Sequence, residues 1–282
     1  MSMLSLLMVI TTHGLFRSLR TIPGWNNILL SVCLLFAQIL LQYSASVDRN
    51  SKFHNCLVIG ILLHFTWLAT FFAMNVCSFH MYYVFSSKAL TTSHSNTKRT
   101  LFKYIAWVVV MPKIIIAAVI GINMAASNSL GYGNTVCFLD TIYDVAFGFI
   151  TPACLIFVSN FAFFLITFCK IHRSPTLQSN MEGRRDLVIY LKLCTITGLA
   201  WPLLLVDAIF DLSWFSFIAV TVNGLQGFFI FLAFVCNERV LNLYTGSLRR
   251  DSSSQTTTKG NQIVSRSNTI RSRSLKLKKY ND

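Results

Sequence analysis

Charge is scarce in this chain: Asp, Glu, Lys and Arg make up 12% of its 282 residues, and only ten are acidic. An ordinary soluble domain carries about 25% charged residues. Apolar residues are plentiful by contrast, at 54% with 24 Phe. A soluble core of this length could not hide so much apolar surface, whereas a bundle whose outer faces meet acyl chains has no need to. Enzymatic equipment is missing as well. There is no phosphate-cradling glycine loop, no nucleophile elbow, no HExxH and no pair of carboxylates at catalytic spacing. The eight cysteines include no CxxC and no Cys/His ligand spacing, so neither a metal nor a cofactor is expected. The composition points to an all-α membrane protein that is not an enzyme.

The net charge of +14 is unevenly placed, with half of it between Asn237 and Asp282, where ten Lys/Arg face three acids. A basic tail beside anionic inner-leaflet lipid explains such an excess, and nucleic acid is not an expected partner. After Arg250 the tail is rich in Ser, Thr, Lys and Arg and has too few apolar residues to bury a core. Just before it, Val240, Leu241, Tyr244 and Leu248 recur at helical spacing beside Arg239, Arg249 and Arg250, the pattern of a short amphipathic helix on the membrane surface. Three regions are therefore expected: a membrane bundle at 1–236, a juxtamembrane helix at 237–250 and a disordered basic tail at 251–282.

Crossing the hydrocarbon core takes about 20 mostly apolar residues in a helix. Six stretches qualify: Gly24–Tyr43, Phe53–Phe85, Leu101–Met124, Thr141–Lys170, Leu187–Phe210 and Ser213–Cys236. Ahead of them stands Met3–Phe16, with only 14 residues. No charged stretch precedes it and no small-residue cleavage site follows, so a truncated first helix is expected rather than a signal segment. Numbered in chain order, these are spans one to seven. The connections after odd-numbered spans hold nine Lys/Arg and those after even-numbered spans hold two, Arg49 and Lys52. The positive-inside bias then sets the N-terminus outside and the C-terminus inside. Cys56 and Cys137 both fall on the outer side in that topology, where disulfides persist, and they are expected to be bonded.

Polar residues at membrane depth are costly and mark function or interhelical packing. Here they are His64, Asn75 and His80 in span three, Lys113 in span four, Asn160 in span five, Lys192 and Asp207 in span six, and Asn223 and Gln226 in span seven. Asn223, Gln226 and Gly227 share one face of span seven and make a polar, thin-walled seam. Such amides can glue a bundle or exchange partners between two arrangements, and the residues alone leave both readings open. Pro112, Pro152 and Pro202 interrupt spans four, five and six, which permits kinks; Gly198 and Trp201 lie within a turn of Pro202.

Several motifs converge on one family. Asn223-Gly-Leu-Gln-Gly-Phe-Phe-Ile-Phe-Leu232 resembles the seventh-helix signature of adhesion receptors and their methuselah-like relatives. Thr197-Gly-Leu-Ala-Trp201 is similar to the sixth-helix GLTW pattern, and Phe16-Arg-Ser-Leu-Arg20 with Leu34-Leu-Phe-Ala-Gln38 resembles the first inner loop and second helix. His80-Met-Tyr82 and Gly131-Tyr-Gly133 agree too, while Met74-Asn-Val76 and Phe234-Val-Cys236 lean to the methuselah-like branch. Departures occur at Cys77, Phe138 and Val109, where the family carries glutamate, tryptophan and tryptophan. The chain thus resembles the seven-helix domain of an adhesion/secretin-like (class B) G-protein-coupled receptor. That resemblance implies a multi-pass plasma-membrane protein that couples an unknown extracellular ligand or tethered peptide to a heterotrimeric G protein. It implies a switch or ligand pocket at Gly198, Trp201, Asn223, Gln226 and Gly227, through which span six swings outward. It also implies a G-protein-facing set of Arg17, Arg20, His80, Tyr82, Arg184 and Arg185. Relatives carry an outer region ending in a self-cleaving domain that this sequence does not contain, so a truncated, non-signalling receptor fragment is one alternative. A small transporter or channel is the other, and it would usually show a repeat between its halves; none is found between residues 1–140 and 141–236.

Overall fold

The computed structural model describes residues 1–46, 53–86, 97–133, 137–173, 213–236 and 240–245. Its elements are α1 (Ser2–Leu15), a 3-10 turn (Arg17–Leu19), α2 (Ile22–Ser46), α3 (Phe53–Ser86), α4 (Thr97–Ser127), α5 (Ile142–Asp144), a π-helical stretch (Val145–Ile150), α6 (Thr151–Arg173), α7 (Ser213–Gly224) and α8 (Gln226–Phe234). Among the described residues every regular element is helical. Span six lies outside them, and with it Arg184, Arg185, Lys192, Gly198, Trp201, Pro202 and Asp207.

Four of the described helices are long and apolar enough to cross a membrane: Ile22–Ser46, Cys56–Val84, Thr97–Ser127 and Ile142–Lys170. A fifth crossing results if Ser216–Gly224 and Gln226–Phe234, bent by 45°, count as one. α1 has 14 residues. At the helical rise that is ~21 Å, short of the roughly 30 Å of a hydrocarbon core.

α3 is the axis of the unit Met1–Val235: it packs against α2, α4 and α6, while α1 packs against α2 and α8. In its apolar window 61% of residues are buried, against 22%, 22% and 11% in the other three long helices. The sequence explains this, since residues Leu68 to Met74 are all buried and two full helical turns show no outward face. α4 is one-sided instead. Tyr104, Val108, Pro112, Ile116, Val119 and Asn123 recur in steps of three or four along its buried stripe, while Phe102, Val110, Ile114 and Ile122 are exposed.

α1 and α2 invert the soluble pattern. Their buried residues include Ser2, Ser5, Thr12 and His13 on α1 and Gly24, Asn26, Asn27 and Ser31 on α2; Leu4, Met8, Phe36 and Leu41 are exposed. In lipid no hydrophobic force separates helix from solvent, so small and polar residues share the contacts with Leu6, Val9, Leu30 and Leu34 while other apolar side chains meet the acyl chains. Pro23 sits in the first turn of α2, where a missing N–H costs nothing. Arg20 donates from Nη2 to the Gly14 carbonyl and caps the C-terminal end of α1.

Two of the expected proline breaks are described and differ in outcome. α4 runs unbroken through Pro112. Ahead of Pro152 the backbone instead widens into the π-helical stretch, whose end is held by the Thr151 hydroxyl donating to the Ala146 carbonyl at 2.8 Å. Residues 236–282 form a separate unit, of which a helix at 240–245 is described.

Candidate functional site

Cys56, at the start of α3, is bonded to Cys137. The loop carrying Cys137 folds back on itself. Tyr132 and Leu139 form an antiparallel bridge, with the Gly133 amide donating to the Phe138 carbonyl and the Asp140 amide to the Gly131 carbonyl, both at 3.1 Å. The sharp returns place Gly131 at φ +75° and Gly133 at φ +82°, a region side chains disfavour. The fold-back drives Tyr132 inward to 1% exposure, against Val119 and Leu139 and flanked by Leu57, Ile61 and Phe149. Beyond the loop, Thr141 caps the next helix by accepting from the Asp144 amide at 3.1 Å. The Asp144 carboxylate accepts from Asn123 Nδ2 at 2.8 Å and from the Thr141 hydroxyl at 2.7 Å. Burial, with the charge of Asp144 adding to it, pushes the Tyr132 hydroxyl above its ordinary range and keeps it a donor.

The partner of that hydroxyl is His64 of α3. Tyr132 Oη lies 2.7 Å from His64 Nδ1, and His64 Nε2 lies 3.1 Å from the Gly148 carbonyl in the π-helical stretch. A carbonyl can only accept, so Nε2 carries the hydrogen; with the ring neutral, Nδ1 accepts from Tyr132. The imidazole therefore donates from α3 to the backbone of the π-helical stretch.

Beside this group opens a cavity of about 1140 Å³. α2 contributes Gln38 and Gln42, α3 Leu63 and Trp67, the loop Cys137 and Phe138, the π-helical stretch Phe149, and α7 Val220, Asn223 and Gly224; Met1 to Leu4 complete the described wall. None of these side chains is charged.

The seam on span seven runs past the cavity. α7 ends at Gly224 and α8 begins at Gln226, where the Phe228 and Phe229 amides donate to the Leu225 carbonyl at 2.9 and 3.1 Å. The Gly227 amide donates to Ser2 Oγ at 3.1 Å, and Gln38 Nε2 donates to the same oxygen at 3.0 Å. One serine thus joins α1, α2 and α8. Gly227 is demanded by this approach, because a Cβ there would touch Ser2 Oγ and stand 2.7 Å from Leu6 Cγ. Asn223 Nδ2 donates to the Ala219 carbonyl at 2.8 Å. Gln226 is 1% exposed, and its Nε2 has no hydrogen-bond partner among the described residues.

Further along α3 Asn75 bridges α3 and α6, donating to Ser159 Oγ at 2.8 Å and Asn160 Oδ1 at 3.0 Å. His80 is buried, with its Nδ1 lying 3.1 Å from the Tyr104 hydroxyl of α4. Tyr82 stacks on Phe163 at 5.2 Å, and Lys170 Nζ lies 5.8 Å over the Tyr82 ring. Arg17 and Arg20 are exposed. Among the residues expected to face a G protein, Arg17, Arg20 and half-buried Tyr82 present surface, while His80 is turned into the bundle.

The structure therefore brings Asn223, Gln226 and Gly227 together with Gln38 and Ser2, two residues that sequence reasoning did not assign to the site. It also pairs His64 with Tyr132. Both stood out in the sequence, His64 as a polar residue in a span and Tyr132 between two glycines, but nothing in their spacing joined them.

The family model described as 7 transmembrane receptor (Secretin family) matches residues 1–230. Adhesion G protein-coupled receptor E2 of Rattus norvegicus is 26% identical over 92% of this chain and 28% of its own length. Adhesion G protein-coupled receptor E3 of Homo sapiens is 27% identical over 83% of this chain and 36% of its own. G-protein coupled receptor Mth of Drosophila yakuba is 24% identical over 88% of this chain and 51% of its own. The chain spans 28% to 36% of the first two relatives' lengths and about half of the third's.

Proposed function

Because this chain belongs to the secretin family of seven-transmembrane receptors, we propose that it carries an extracellular signal across the plasma membrane to a heterotrimeric G protein, by outward movement of span six. The family consists of multi-pass membrane receptors rather than enzymes, and the match over residues 1–230 is the observation that carries the reading. In this reading the chain crosses seven times with its N-terminus outside, in keeping with nine Lys/Arg on odd connections against two on even ones. Residues 1–236 form the receptor bundle, 237–250 a helix on inner-leaflet lipid, and 251–282 a basic tail.

The ligand enters the cavity beneath the Cys56–Cys137 loop. The described wall has no charged side chain but three amides, Gln38, Gln42 and Asn223. That chemistry suits an uncharged, largely apolar ligand or tethered peptide whose backbone bonds the amides. Trp201 and Gly198, near Pro202 in sequence, form the switch together with Gln226 and Gly227. A span that proline can kink, paired with an amide whose donor has no partner among the described residues, makes the bistable element such a change requires. Arg17, Arg20, Tyr82, Arg184 and Arg185 meet the G protein. His80 acts from within the bundle, holding α3 to α4.

The test is G-protein activation in cells, with surface quantity measured alongside. Trp201→Ala and Gln226→Ala are each expected to lower signalling at near-normal surface quantity, and unchanged signalling in both removes the switch. Terminal tags address the topology: a basic C-terminal end reachable from outside intact cells overturns the orientation.

A further inference from the structure

His64 stands behind the cavity wall, not in it. Phe138 and Phe149, which do line the cavity, meet its ring edge to face at centroid distances of 5.7 and 6.0 Å, and each other at 5.4 Å. Through Nδ1 the imidazole holds the outer loop at Tyr132, and through Nε2 it holds the π-helical stretch at Gly148. His64 itself is 0% exposed.

We propose that His64 is a positioning residue that ties the ligand cavity to span five: its paired hydrogen bonds hold the disulfide-anchored loop and the Gly148 carbonyl in one arrangement, and pressure on Phe138 and Phe149 from the cavity breaks it. The inference rests on the receptor reading only for what presses on the wall; the relay is a property of the fold. Its logic is directional. Tyr132 donates, so Nδ1 accepts, so Nε2 is free to donate to the Gly148 carbonyl. Loss of the loop contact frees the ring to turn, and the Gly148 carbonyl then loses its donor. The π-helical stretch has the looser hydrogen bonding that lets it close up or open when that donor leaves.

Cys154, half-buried two residues beyond Pro152, reports on that stretch. The full chain in lipid nanodiscs is alkylated with N-ethylmaleimide, and labelling is followed by mass spectrometry on the peptide carrying Cys154. Tyr132→Phe and His64→Phe are each expected to speed labelling roughly threefold to tenfold, the scale of one interhelical hydrogen bond. The double variant should go no further than either alone. His64→Gln, whose amide nitrogen can donate and whose oxygen can accept as the two ring nitrogens do, should restore the slow rate. Phe138→Trp, which overfills the wall, should speed labelling in the unaltered chain and not in the His64→Phe background. If the ring matters only for packing, Phe keeps the slow rate and Gln does not, and that result overturns the proposal, as does additivity in the double variant. Should the Phe variants fail to fold, 15N spectra of histidine-labelled unaltered protein decide alone, with His64→Gln identifying the signal: an Nδ1–H tautomer at His64 refutes the relay. A chain that passes these tests yet never stimulates nucleotide exchange on a G protein sinks the receptor reading and leaves the relay standing.

Discussion

Gly227→Ala is the substitution to which the bundle should be most sensitive for its size. The added Cβ would touch Ser2 Oγ and stand 2.7 Å from Leu6 Cγ and 2.8 Å from the Ser2 carbonyl oxygen. All belong to α1, and one is backbone, so the strain is relieved only by moving a helix. Overpacking of this kind costs ~1–3 kcal/mol. The Gly227 amide to Ser2 bond, lost as the helices part, adds ~0.6 kcal/mol. Alanine's better helix propensity returns up to ~1 kcal/mol. The net loss is roughly 1–3 kcal/mol, or about five- to 150-fold in the folded ratio. Thermal unfolding in detergent, read by a thiol-reactive dye reaching the buried Cys77, measures it directly. Gly121→Ala is the control, because a Cβ there meets nothing within 4 Å; it should be neutral or slightly stabilising. A Gly227→Ala protein that melts at or above the unaltered temperature, or a Gly121→Ala protein that loses as much, would refute the α1–α8 contact.

Two further outcomes are expected. Cys56→Ser and Cys137→Ser should each lower surface yield to a similar degree, since the bond closes a separation of 81 residues and such links contribute roughly 2–5 kcal/mol; the double variant should cost little more than one, and additive losses in a surface-labelling assay would contradict the pairing. Asn75→Ala removes both bridges from α3 to α6 and should lower stability by ~1 kcal/mol, visible as a lower melting temperature that Ser159→Ala in the same background barely extends.

Much of the fold was legible before any coordinates, for a plain reason. Backbone groups in hydrocarbon must satisfy one another locally, so a run of apolar residues long enough to cross is a helix whatever its neighbours are. Spans two to five could therefore be read to within a few residues of the observed helices, and the Cys56–Cys137 bond followed from the charge bias of the loops. Proline was less readable. Pro112 and Pro152 look alike in sequence, yet α4 runs through the first and the backbone widens before the second.

Which faces meet was not legible. In water the apolar stripe of a helix announces its contacts; in lipid both faces are apolar, and the contacts fall to Ser2, Asn75 and Gly227, which carry no periodic signal strong enough to pair them. His80 shows the consequence, since the family resemblance put it among the residues facing a G protein, and only packing turned it to Tyr104. Composition, apolar length and loop charge are sums along the chain, so they define a multi-pass bundle on their own. The Tyr132–His64–Gly148 chain and the Ser2 junction join residues 68, 84 and 225 positions apart. Contacts at such separations exist only once the helices have chosen their neighbours, and that choice belonged to the tertiary structure.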